Sequence, residues 1–158
     1  MSGGIQYLFP LLQVCKYGRF PVGHPEVIVG HEDCERIDLT RTSGLIKCSV
    51  LPPRNLYHPV LPMKMNDKLM FVLCRECGER MNTGECTHDD GQRTLHGTWV
   101  IEEVVKALEK GYQLTNIQEI WKYKVEQYNP DTRSNGLFVN MMNDFIKYKQ
   151  VIYNTDSK

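Results

Sequence analysis

Residues 74 to 97 constrain this chain more than any other stretch, because they cannot build a core of their own. The segment is rich in cysteine, glycine and charge, and its only large apolar side chains are Met81 and Leu95. A composition like that gains too little from burial to offset the entropy of ordering. Something other than apolar packing has to fix it. Within it stand Cys74-Arg-Glu-Cys77, eight intervening residues, and Cys86-Thr-His88. A C-x2-C pair at the end of a strand puts two sulfurs on one turn, and the C-x-H pair returns to complete a tetrahedron. Zinc favours such Cys3His sets, and four protein ligands leave no position open for water, which marks a structural site. Binding of that kind releases about 10–16 kcal/mol in zinc-finger peptides, more than so polar a loop gains by burial. The expectation is one structural zinc ion on Cys74, Cys77, Cys86 and His88, in a knuckle spanning 74–88.

Three alternatives compete. His96 rivals His88 for the fourth corner, but His88 lies nearer Cys86 and closes a more compact loop. A redox C-x2-C would open a helix after a strand, whereas Gly78-Glu79-Arg80 leads into a polar loop. A nuclease would gather His88, Asp89 and Asp90 around a catalytic metal, but that cluster holds only one histidine.

A length of 158 residues suits one domain, so a single domain over 1–158 is expected. The apolar and charged fractions, 41% and 24%, are those of a globular protein. Basic and acidic residues balance at 19 each. That balance speaks against a sequence-blind DNA-coating protein, which carries a positive excess, and leaves room for a local basic groove. No apolar run reaches bilayer length. Met1-Ser2-Gly3-Gly4 lacks a basic n-region, and Pro10 interrupts the apolar stretch Tyr7 to Val14. The expected location is therefore intracellular, nuclear or cytoplasmic, with no membrane. There cysteines serve as thiols or metal ligands rather than disulfides. Cys15, Cys34 and Cys48 are scattered, and Cys48 reads as a small buried thiol.

Periodicity supplies the elements. Residues 17 to 25, dense in Gly and Pro, read as an ordered loop, followed by a short strand over Glu26 to Val29 and a polar surface connection from His31 to Ser43. Gly44 to Leu51 reads as a strand ending at a Pro-Pro pair. Pro52 to Pro62 contains four prolines and has to be extended rather than helical. Lys68 to Leu73 reads as a strand running into Cys74. Trp99 to Lys110 reads as a helix with Val100, Ile101, Val104, Val105 and Leu108 on one face, capped by Thr98 and stopped by Gly111. Leu114 to Val125 alternates as a strand, with Ile117, Glu119, Trp121 and Tyr123 on one side. Gln127 to Asn135 is a turn, and Gly136 to Tyr148 a second amphipathic helix. Trp99, Trp121 and the Met141-Met142 pair are expected in the core. The class expected is α+β, a small antiparallel sheet with two amphipathic helices and a zinc-stabilised loop.

Long blocks of the chain resemble a known family. KYGRFPVGHPEVI (Lys16 to Ile28), GLIKCSVLPPRNLYHPVLP (Gly44 to Pro62), the cysteine-histidine segment Leu73 to Val100, EEVVKALEKGYQLTNIQEIW (Glu102 to Trp121) and FIKYKQ (Phe145 to Gln150) are similar to the region between the first and second palm motifs of protein-primed family B DNA polymerases, of the type carried by self-synthesising transposons and related virus-like elements. The resemblance covers roughly residues 5 to 150. It implies a partial palm with an insertion that engages a priming terminal protein and the DNA template–primer, within a polymerase whose remaining domains are further partners. The parent family needs two aspartates holding two Mg²⁺ ions about 3.5–4 Å apart; Mg²⁺ is expected for that family only.

The departures carry equal weight. Where the first palm motif has the form D-x-x-S-L-Y-P, this chain has Gly4-Ile5-Gln6-Tyr7-Leu8-Phe9-Pro10, with glycine in place of the metal-binding aspartate and Tyr7 in place of serine. The second motif is absent, and Tyr153-Asn154-Thr155-Asp156-Ser157 echoes the third one residue short. No catalytic residue is therefore assigned. Lys16, Arg19 and Arg54 are candidate phosphate contacts, with an ordinary solvated charge as the competing reading. Tyr57 and His58 are candidate nucleotide or primer contacts, with packing of a proline-rich strap as theirs. The expected function is a fragment resembling a DNA-directed DNA polymerase, inactive alone. The alternative is a non-catalytic zinc-binding module that binds protein or nucleic acid.

Overall fold

The structure is a computed structural model that describes residues 3–133 and 136–155, with side chains described over 10–133 and 136–148. Its helices and strands follow the order α1 (Gly3–Tyr17), β1 (Arg19–Val29), α2 (His31–Glu35), β2 (Gly44–Leu51), β3 (Pro62–Met65), β4 (Lys68–Phe71), α3 (Arg75–Glu79), α4 (Asp90–Arg93), β5 (Leu95–Val100), α5 (Ile101–Glu109), β6 (Gln113–Gln127) and α6 (Val139–Thr155). The class is α+β, with a four-stranded antiparallel sheet ordered β1-β6-β2-β5 and a separate β3-β4 hairpin. Where the sequence suggested one domain over 1–158, the fold groups into two compact units: His24–Tyr123, and Met1–Gly23 with Lys124–Lys158.

In the 24–123 unit, β2 is the central strand. Its alternation puts Ile46, Cys48 and Val50 fully into the core and Lys47 outward. β5 and β6 flank it, both antiparallel. Leu95 and Trp99 from β5, Ile117 and Ile120 from β6, and Ile101, Val104 and Ala107 from α5 complete the same core. The Trp99 indole lies over Gly97, where an added Cβ would stand 2.8 Å from a ring carbon. Burial pushes the Cys48 thiol up to about 12, so it behaves as a small hydrophobe.

Pairing with β2 corrects the expected start of the helix. Thr98, Trp99 and Val100 are opposite Lys47, Ile46 and Leu45. α5 therefore begins at Ile101, and Thr98 is not its cap; Val100 occupies that position without a side-chain hydrogen bond. The stop is as expected. Gly111 has φ +89°. The N–H of Gly111 donates to Leu108 O at 3.0 Å and that of Tyr112 to Ala107 O at 3.1 Å, the two bonds of a Schellman motif.

The strand over Leu114 to Val125 is also as expected, but its alternation is not. The register steps from Lys47↔Glu119 to Cys48↔Ile117, leaving Gln118 unpaired, and again from Ser49↔Asn116 to Val50↔Leu114, leaving Thr115 unpaired. A bulge shifts the pleat by one residue. Ile117 and Ile120 therefore both face inward, while Trp121 is 40% exposed and does not anchor the core.

β1 runs through the Pro-Gly stretch read as a loop. It lies at the sheet edge, the strand position that tolerates proline, because an N–H on the solvent side has no ladder bond to lose. Between His31 and Ser43 the connection folds into α2 and a 3₁₀ turn at Leu39–Arg41, and buries Cys34 completely. The β3-β4 hairpin was not foreseen as a pair. Asn66 and Asp67 at its two-residue turn have φ of 49° and 58°, as a type I′ turn requires.

In the other unit, α1 runs through Pro10, a helix that the sequence reading did not anticipate. Phe20 meets Phe138 edge-on at 4.9 Å, and Tyr17 lies 5.8 Å from Tyr128. α6 begins at Val139 rather than Gly136 and continues past the expected end to Thr155. Val139 and Met142 are buried, but Met141 is exposed, so only one of the methionine pair is core. Asp156 and Ser157 of the C-terminal echo lie outside the described residues.

Replacing Ile120 by Ala is expected to destabilise the chain by about 2–5 kcal/mol through the cavity it leaves. Val29→Ala, at an exposed position, should stay within about 0.5 kcal/mol. Urea unfolding of the two variants beside the parent measures both.

Candidate metal centre

The hairpin and two short helices bring the four expected ligands together. The chain leaves β4 and reaches Cys74 in an extended conformation, and Cys74 caps α3, its Sγ accepting from Cys77 N–H at 3.4 Å. Cys77 thus sits one turn away on the same side. Gly78 is buried against Met65 and Val72, where an added Cβ would press on the Met65 sulfur. Asn66 Nδ2–H of the hairpin turn donates to Glu79 O at 3.1 Å. Met81 takes the left-handed conformation, φ 53°, and turns the chain back toward Cys86. A capping box closes the return: Gln92 N–H donates to Asp89 Oδ1 at 2.8 Å, and Asp89 N–H donates to Gln92 Oε1 at 3.2 Å.

His88 Nδ1 then lies 3.4 Å from Cys74 Sγ, 3.3 Å from Cys77 Sγ and 3.7 Å from Cys86 Sγ. All four ligand atoms fall within 4.8 Å of one another. A single imidazole nitrogen has one hydrogen or one lone pair, so it cannot bond three sulfurs at once. Equal approach to all three is the arrangement of ligands around a shared ion, and this group can hold a metal ion. Burial pushes the Cys74 thiol up to about 11, with the neighbouring Cys77 and Cys86 adding to the rise and the Cys77 N–H opposing it. At Cys86 burial also acts upward, but hydrogen bonds from the His88 backbone and ring and from the two other thiols outweigh it and bring the group to about 7. Three thiolates crowded together repel one another, and a bound cation is what removes that conflict.

His96, the rival ligand, is elsewhere: it faces Ser49 across the β2-β5 ladder, Nδ1 to Oγ 2.8 Å. Nor does the nuclease cluster form. Asp89 caps α4, and Asp90 pairs with Arg93 at 3.1 Å and Arg54 at 3.5 Å.

The candidate nucleic-acid residues separate. Lys16 and Arg19 belong to the unit containing α1, where Lys16 Nζ stands 5.5 Å from the Tyr17 ring and 5.6 Å from the Tyr128 ring. Arg54, Tyr57 and His58 belong to the other. Arg54 is occupied, its Nη2–H donating to His88 O at 3.1 Å. Tyr57 is 89% exposed, its ring edge-on to His58 at 4.5 Å, so it does not pack the strap. Sequence reasoning missed Arg93, which is 3% exposed and donates to Asp90 and to Pro52 O; no spacing rule marks it.

Charge divides as well. The 24–123 unit has 12 Lys and Arg against 15 Asp and Glu; the remainder has 7 against 4. Among the described residues, nine of those twelve cations of the acidic unit are ion-paired, the exceptions being Lys47, Lys68 and Lys110. Among the described residues no helix is long and apolar enough to cross a membrane. Comparison with protein-family models, with curated proteins and with solved structures gives no match.

Cys77→Ser should abolish stoichiometric metal binding and make residues 74–97 the first to unfold, whereas His96→Ala should keep the metal. Metal content by mass spectrometry, with hydrogen exchange over 74–97, checks both. A Cys77→Ser chain that keeps its metal and its native melting would refute the ligand set.

Proposed function

We propose that the tetrad holds one structural zinc ion, and that the chain is a non-catalytic module of a protein-primed family B DNA polymerase, corresponding to the region between its first and second palm motifs. The observation that carries the zinc reading is the spacing around His88. A tetrahedral ion with Zn–S of about 2.3 Å and Zn–N of about 2.0–2.1 Å sets each N···S edge near about 3.6 Å, and the three edges here are 3.3, 3.4 and 3.7 Å. With four protein ligands the ion has no open position for substrate, so its role is to order the insertion.

The polymerase reading is supported by the ordered blocks from Lys16 to Gln150 that resemble that family. The absence of chemistry follows from Gly4: glycine offers no oxygen to Mg²⁺ from its side chain, and two-metal phosphoryl transfer needs a carboxylate there. Contact with template–primer DNA falls best to Lys16 and Arg19, in the unit with a basic excess. The acidic unit, most of whose cations are already paired, suits a protein partner such as a priming protein. That charge division also favours a second reading, a free-standing zinc-stabilised module that binds protein and no DNA.

The purified chain should contain one zinc ion per molecule and show no primer extension with Mg²⁺. Sustained extension would sink the non-catalytic reading. In mobility-shift titrations with primed DNA, binding should weaken with salt, and Lys16→Ala and Arg19→Ala should each reduce the salt slope by about 1. Arg54→Ala should leave that slope unchanged. No shift at low salt would select the protein-binding reading.

A further inference from the structure

We propose that the outer face of the sheet binds a guanine base, in the cavity lined by Leu45, Lys47, Thr98, Glu119 and Trp121. This site is independent of the metal centre and of the polymerase reading. Ile101, Val104 and Ala107 of α5 pack with Ile46, Cys48 and Val50 on the core face of β2. Leu45 and Lys47 alternate with those residues and so lie on the opposite face. The strand register lines that face up in rows. Val100, Leu45 and Trp121 form one row, and Thr98, Lys47 and Glu119 form the next. The cavity spans both rows and has a volume of about 180 Å³. A cavity of about 150 Å³ holds a benzene ring, so this one admits a base. Its rim of Lys47, Thr98 and Trp121 is exposed, which leaves ribose and phosphate in solvent.

Two features equip the cavity to read a base. Trp121 is 40% exposed, and its Nε1–H donates to Glu119 Oε1. That bond holds the indole as one wall, and a fixed, exposed ring is a stacking platform. Lys47 stands directly opposite Glu119, where a cross-strand ion pair ordinarily closes. Among the described residues, however, Lys47 has no ion pair, and Glu119 pairs instead with the indole. A free ammonium and a carboxylate with lone pairs to spare therefore border the same cavity.

A donor beside a strong acceptor selects by chemistry. Guanine sets a carbonyl oxygen, O6, beside two donors, N1–H and N2–H. Lys47 donates to O6, and the Glu119 carboxylate accepts from N1–H and N2–H. Adenine, cytosine and thymine each bring only one donor beside an acceptor. A base is uncharged, so the acid excess of this unit does not oppose it. A free guanine nucleotide and an unpaired guanine in a single strand share this chemistry.

The chain has two tryptophans, so its NMR spectrum carries two indole N–H signals. Trp99 Nε1–H is buried and bonded to Pro62 O, and Trp121→Phe identifies the other signal. Guanosine monophosphate should move the Trp121 signal and leave that of Trp99 in place. It should bind at least about fivefold tighter than the adenosine, cytidine and thymidine monophosphates. Inosine monophosphate, which lacks the N2 amine, should fall between them. Glu119→Gln and Lys47→Ala should each weaken guanosine monophosphate at least about fivefold, with the Trp99 signal reporting an intact core. An oligothymidylate with one central dG, compared with one without, separates the sources. Tighter binding of the dG strand than of the mononucleotide assigns the site to single strands, and the reverse assigns it to free nucleotide; either upholds the guanine site. Equal binding of all four mononucleotides, a Trp121 signal that no guanine probe moves, or guanine binding unchanged by Glu119→Gln overturns it.

Discussion

Strand β2 is held along both edges and buries Ile46, Cys48 and Val50 on one face and Ser49 on the other, and most of the 24–123 unit follows from that. Its pairing with β5 forces Thr98 to Val100 into extended backbone, which fixes where α5 starts and which of its residues meet the core. Pairing with β6 sets the bulges that turn Ile117 and Ile120 inward together. Its exit at Leu51 delivers Pro52 to the side chain of Arg93. Burial on this scale is non-directional and strong, so the directional contacts of the knuckle can be few.

The legible elements were those whose own pattern agreed with their surroundings. β2 is dense in apolar and β-branched residues and appears as read, and α5 carries a helical stripe and a glycine stop that appear as read from Ile101 onward. The errors share a cause: context outweighed local propensity. Helix periodicity at Trp99 and Val100 lost to pairing with β2. Prolines in β1 looked like loop but are harmless at a sheet edge. The alternation of β6 was read without a bulge, and one unpaired residue is enough to exchange Trp121 with Ile120. Asn66-Asp67 was a hairpin signal in plain view, obscured by the four-residue length of β3.

The candidate metal ligands were legible because they are local. All four lie within fifteen residues, and coordination chemistry limits their types and spacing. Arg93 was not legible, because its importance comes from a carbonyl 41 positions away, and a single charged residue in a polar loop has no pattern. The candidate DNA contacts were chosen as charges and rings without regard to partners; the fold gives Arg54 a structural task and leaves Lys16 beside two tyrosines. The pairing of cations in the acidic unit was not legible either, because it arises only once the chain is folded.

The burial of Cys48 sorts the thiols of this protein by chemistry. The thiolate is the reactive form of cysteine, and a group raised to about 12 under the sheet yields almost none at neutral pH. Cys34 is likewise pushed up by burial. Cys77 and Cys86 are only half-buried, as is Cys15. An electrophile or oxidant therefore meets the knuckle and Cys15 before it meets the core. The same burial that shelters the sheet from redox conditions leaves the clasp and Cys15 as the places where chemical damage to this protein begins.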